Sequence, residues 1–299
     1  MNEEILEKIR RAGLIAAEAR ELGADMVDEG VKLLDVATEV EAYIVRKGAK
    51  PAFPTNLSIN EAAAHYTPSS QDKLAFHRGD LVKVDVGAQV DGYIGDTAKT
   101  VEVRTKSWTN LIAASAKALS MATVMVGDGV QVGSIGGTID RAIRSDGFVP
   151  VTNLTGHGLN CYNLHAGLTI ANYDDGNQTR LRTDMMLAIE PFATDGAGEV
   201  RNSKPGNIYR ILRDREVRDA EANKLFGKIK EEFGSLPFCE RWCTALDPKA
   251  PIHLKTLVRH GILFAYPVLA EVKGGMVSQT EHTLVINNGK GEITTRIGV

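Results

Sequence analysis

No run of the sequence is both long and apolar enough to span a bilayer. The long charge-free stretch from Gly147 to Tyr173 is too rich in Asn, Gly and Thr for that. The amino terminus, MNEEILEKIRRAGLIAAEAR, alternates acids and bases where a signal peptide would carry an apolar segment, so no export signal is expected. Cysteine is scarce: Cys161, Cys239 and Cys243 are three thiols, an odd number, and with no export signal they point to a reduced, cytoplasmic chain. Cys239 and Cys243 supply half a zinc site at most and read as buried residues of a helix. Charge of one sign is also lacking. A formal net charge of -3 offers no basic field for nucleic acid or an anionic membrane, so neither is expected as a partner. The glycines at 133, 136 and 137 lack the Lys and Ser/Thr of a phosphate loop and read as turns. Neither repeats nor low-complexity tracts occur.

What is present is enough for a substantial core: 299 residues, 43% of them apolar. Ile5, Ile9, Ala12 and Ala16 share one face of a first helix, and Leu33, Ala37, Val40 and Ile44 one face of a second that Gly48 should end. PAFPTNLSIN reads as an extended, proline-marked loop. Strands are predicted at 80–90 and 93–103, helices at 108–126 and 135–145, and short strands around His157, Glu190 and Glu281. INNGKGEI closes a late hairpin. Between 195 and 270 short helical patterns stand among polar linkers such as RNSKPGN, which suggests a helical insert in a mixed α/β body.

The chemistry begins in DLVKVDVGAQVDGYIGDTA. Val82, Val84, Val86, Ala88 and Val90 alternate, leaving Asp85 on the opposite face. Asp91-Gly92 is a two-residue hairpin turn that would pair Val90 with Tyr93 and therefore Gly87 with Asp96. Asp85 and Asp96 become diagonal neighbours, roughly 7–8 Å apart at the backbone, with no side chain on Gly87 between them. Two bare carboxylates brought to 4 Å would repel by about 4 kcal/mol at an effective dielectric near 20, so a cation is wanted there. Glu190 follows the apolar run MMLAI and Glu281 precedes TLVI, so each sits at the end of a buried strand where a lone charge is costly. Four such carboxylates with His157 would make an oxygen-rich site whose charge two divalent ions balance.

AFPTNLSINEAAAHYTP, VDVGAQVDGYIGDTA, NLTGHGLNCYNLHAG, AIEPF and TEHT, taken in order, resemble the successive motifs of the type 2 methionine aminopeptidases, in their short archaeal-like form, over nearly the whole chain. The resemblance implies a pita-bread α/β fold (α+β), two pseudo-symmetric halves around a dinuclear metal site, formed by 1–194 and 271–299, with 195–270 as the helical inserted subdomain. The 91 residues separating Glu190 from Glu281 leave room for that insert.

It also implies that Asp85, Asp96, His157, Glu190 and Glu281 ligate two divalent ions, drawn from Co, Mn, Fe, Zn or Ni, with Asp96 and Glu281 bridging. His65, His165 and Glu190 take the catalytic roles. Phe53, His65, Leu164, His165, Phe192 and Tyr266 contact substrate. The implied activity is removal of the initiator methionine from nascent chains and Met-X peptides with a small second residue, by a monomeric enzyme. Proline-specific aminopeptidase or prolidase, and a non-catalytic binding protein of the same fold, are the alternatives. The first carries an extra N-terminal domain for which Asp85 comes too early, and the second tends to lose ligands that are all present here.

Overall fold

A computed structural model describes residues 1–298. Two helices open the chain, α1 (Glu3–Met26) and α2 (Leu33–Arg46). Asn2 caps α1 by accepting from the Ile5 amide at 2.9 Å, and Gly48, at φ 77°, takes the left-handed turn just beyond α2. The strands β1 (Lys50–Ile59), β2 (Ala62–Ala64), β3 (Leu81–Val90) and β4 (Tyr93–Glu102) follow. β1, β3 and β4 form an antiparallel sheet in that order, and Val82, Val84, Val86, Ala88 and Val90 bury against α1 and α2.

One expectation fails here. PAFPTNLSIN is not a loop but most of β1. Its prolines are tolerated because β1 is an edge strand whose pairing to β3 shifts register between Pro51 and Phe53 and again between Phe53 and Asn56.

The second half repeats the plan of helices over a sheet. α3 (Thr109–Met125) and α4 (Val132–Ser145) precede β5 (Val149–Pro150), β6 (Thr155–Leu159), β7 (Thr169–Ala171), β8 (Met186–Ile189) and β9 (Phe192–Thr194). Gly133, Gly136 and Gly137 belong to α4 and are not turns. A side chain on Gly136 would collide with the carbonyls of Ala171 and Tyr173, so glycine here serves close packing of a helix.

The chain continues through β10 (Val200–Ile211), α5 (Ala220–Phe233), β11 (Phe238–Cys239), α6 (Glu240–Leu246), α7 (Ala250–Arg259) and β12 (Leu263–Glu271). This segment is less helical than its composition suggests: RNSKPGN lies inside β10, which pairs with β11 and β12, and β12 pairs in turn with β2. Its helices close over their own core, which includes Leu225, Phe226, Phe238 and Leu254. Cys239 and Cys243 are buried, as expected, but only Cys243 is helical.

β13 (Val277–Gln279), β14 (His282–Asn287) and β15 (Lys290–Ile293) return to the body. β15, β14, β8, β6 and β7 form a five-stranded sheet under α3 and α4. Threonine hydroxyls stitch the halves together: Thr97 Oγ1 donates to Glu281 O at 2.8 Å, Thr100 Oγ1 to Gln279 O at 2.7 Å, and Thr283 Oγ1 to Asp96 O at 2.8 Å. The result is the expected α/β pita-bread plan, two helix-backed sheets meeting face to face. Among the described residues no helix is long and apolar enough to cross a membrane.

Candidate metal centre

The β3–β4 hairpin is uninterrupted, with Val90 opposite Tyr93 and Gly87 opposite Asp96 as the turn requires. Asp91 and Gly92 both have positive φ, 49° and 87°, the signature of a type I′ turn. Asp85 and Asp96 are therefore diagonal neighbours. The space left by Gly87 is filled by the Phe53 ring, into which any β-carbon at 87 would run. Phe53 reaches that place because it pairs directly with Gly87 across the β1–β3 ladder, just before the register shift that sets Asn56 opposite Asp85.

The other half supplies the remaining groups. His157 stands in β6 opposite Ala188 of β8, Glu190 follows the last residue of β8, and Glu281 precedes β14. Asp96, His157 and Glu281 each offer a ligand atom within 4.8 Å of the others. His157 Nε2 is 3.7 Å from Asp96 Oδ2 and 3.6 Å from Glu190 Oε1. The loop after β6 folds back, with the Ala166 amide donating to Gly158 O at 2.8 Å, and brings the His165 ring to 4.4 Å from that of His157.

Four carboxylates with, among the described residues, no lysine or arginine paired to them are an unstable set of charges. Burial pushes Asp85 up to about 7, and burial together with repulsion from the neighbouring carboxylates raises Asp96, Glu190 and Glu281 well above the usual range. Burial, with His165 adding to it, lowers His157 to about 3, so its imidazole is neutral and free to ligate. Asp85 Oδ1 and Asp96 Oδ1 are buried without any hydrogen-bond partner. Such a cavity is neutral only if it holds protons or cations. Acceptor-only oxygens, orphaned and converging with a neutral imidazole, fit divalent cations.

All eleven residues singled out in the sequence line one cavity of about 230 Å³. Phe53, Leu164, Phe192 and Tyr266 form its apolar walls, and His65 and His165 stand beside the ligand cluster. His65, buried and held by burial down to about 4, leaves Nδ1 without a partner. A larger groove, about 1210 Å³, runs past Val45, Arg46, Tyr162 and Trp242 but gathers no comparable set of ligands.

Two residues were not anticipated. Gln279 of β13 points Nε2 at Asp85 Oδ2, Glu190 Oε2 and Glu281 Oε2, each at 3.4 Å, and Asn56 lines the same wall. The only signal for Gln279 was its place two residues before Glu281. Asn56 was hidden by the reading of its strand as a loop.

Known proteins resemble this chain in sequence and in fold. Residues 7–219 match the model of metallopeptidase family M24. A methionine aminopeptidase of Archaeoglobus fulgidus is 46% identical, over 99% of this chain and all of its own. Among solved structures, a methionine aminopeptidase from Thermotoga maritima superposes with a TM-score of 0.72 at 24% identity, covering 99% of this chain and 98% of its own. A thermophilic Arx1 superposes with a TM-score of 0.86 at 16% identity, covering 100% and 92%. At such identities the two structures speak for the fold alone, whereas the sequence relative and the family match speak for descent: the chain belongs to metallopeptidase family M24, in its methionine aminopeptidase group.

Proposed function

We infer that this enzyme removes the initiator methionine from polypeptides whose second residue is small. The observation that carries the reading is the meeting of five ligand-type side chains, two further histidines and an apolar wall in one cavity. Asp85, Asp96, His157, Glu190 and Glu281 would hold two divalent ions, from among Co, Mn, Fe, Zn and Ni. When bound, such ions supply an acidified water and polarise a carbonyl.

The chain's own groups do the rest. Glu190, at the end of β8 and facing the same cavity, takes the proton of the attacking water and passes it to the leaving amine. His165 donates to the carbonyl oxygen as charge develops there, and His65 hydrogen-bonds the departing nitrogen. Phe53, Leu164, Phe192 and Tyr266 enclose an unbranched thioether, whose sulfur packs well against ring edges. We further read 195–270 as an inserted subdomain on a body of 1–194 and 271–299, and the enzyme as a cytoplasmic monomer acting on nascent chains.

The test is kcat/KM on Met-Ala-Ser, Leu-Ala-Ser, Met-Lys-Ser and X-Pro dipeptides, with the metal varied. Met-Ala-Ser is expected to be strongly preferred. Equal rates across the set, or a preference for X-Pro, would replace this reading with a general or proline-specific peptidase.

A further inference from the structure

A chain of rings leads out of the cavity. The His65 ring meets Tyr266 edge-on, centroids 5.2 Å apart, and Tyr266 meets Phe264 in the same manner at 5.2 Å. The Arg210 guanidinium then lies over Phe264, 5.4 Å from its centroid. The β10–β12 ladder sets this order. Ile208 pairs with Tyr266 and Arg210 with Phe264, so the cavity-lining pair and the outer pair share one face of the sheet.

Burial falls along the strip. Ile208 is 4% exposed and Phe264 38%. Arg210 is exposed, and among the described residues it takes no part in the ion pairs that engage Arg10, Arg20, Arg104 and Arg241.

We propose that this face of β10 and β12 is the track for the substrate downstream of the cleaved bond, with Arg210 selecting acidic side chains at its fourth and fifth residues. The proposal rests on the aminopeptidase reading, which places the scissile bond beside His65. An extended peptide advances about 3.3 Å per residue, so two ring steps of 5.2 Å, about three residues beyond the scissile bond, bring its fourth and fifth residues over Phe264 and Arg210. The occupant is specified by continuity with the cavity and by charge: an exposed, unpaired arginine next to an apolar ring suits a chain carrying carboxylates.

The experiment compares kcat/KM for Met-Ala-Gly-Asp-Asp-Gly and Met-Ala-Gly-Lys-Lys-Gly in the metal-loaded parent, Arg210→Met and Arg210→Glu. Taking the ratio of two peptides on one enzyme cancels any effect of the substitution on His165 or on the ions. The parent is expected to favour the acidic peptide about three- to tenfold at low salt, less at high salt, as exposed charge pairs do. Arg210→Met should bring that preference toward whatever bias the metal site alone imposes, and Arg210→Glu should shift it further toward the basic peptide. A ratio unaltered by both substitutions overturns the track, even with full activity on Met-Ala-Ser. Failure of the parent on Met-Ala-Ser overturns instead the aminopeptidase reading beneath it.

Discussion

His65 has a backbone φ of 68°, a left-handed conformation that an L side chain with a β-carbon adopts at a cost. Its ring is buried, neutral at ordinary pH because burial holds it down to about 4, and one nitrogen has no partner. A residue held against its backbone preference with an unused polar atom is suited to meet something that arrives with the substrate. His65→Ala should therefore lower turnover by about 10² to 10⁴, the usual worth of a positioned acid or base, while metal content by elemental analysis stays at the parental level. Loss of metal together with turnover would mean that His65 belongs to the ligand set.

At the scale of elements, helix α6 is anchored to α2 by a buried carboxylate. Glu41 accepts from Arg241 Nη2 at 2.9 Å, Trp242 Nε1 at 2.8 Å and the Thr55 amide at 3.1 Å, so one side chain ties α2, β1 and α6 together. Burial raises Glu41, and Arg241 is the charge that offsets it. Removing the arginine strands the carboxylate, and Arg241→Met should cost about 3–5 kcal/mol in urea unfolding, with Glu41→Gln in the same chain recovering part of it. A loss below about 1 kcal/mol would show that this contact does not hold α6 against α2.

The legibility of the elements follows from how regular each is. The β3–β4 hairpin alternates without a bulge around a two-residue turn, so its register, and with it the approach of Asp85 to Asp96, could be counted in residues. β1 could not be read, because its prolines sit where the ladder slips. The start of α4 could not be read either, because its glycines serve helix packing, which leaves the same mark in a sequence as a turn. Gln279 escaped for another reason: an amide carries no charge, so nothing in its surroundings marks it as costly.

For the whole molecule, a net charge of -3 conceals how the charge is placed. Four carboxylates from β3, β4 and the ends of β8 and β14 converge because the hydroxyls of Thr97, Thr100 and Thr283 fix one half against the other. Neither half holds a complete site. The hairpin brings two aspartates, and the second sheet brings His157, Glu190 and Glu281. The need for cations is thus a property of the assembled fold, and Asp96, within reach of His157 and Glu281 at once, is where removal should be felt most. The direct measurement is metal content by elemental analysis, with turnover on Met-Ala-Ser, for Asp96→Ala beside the parent. A folded variant that binds less than the parental complement and has lost turnover is the expected result. Two tightly bound ions with normal turnover in Asp96→Ala would contradict the assignment of the centre.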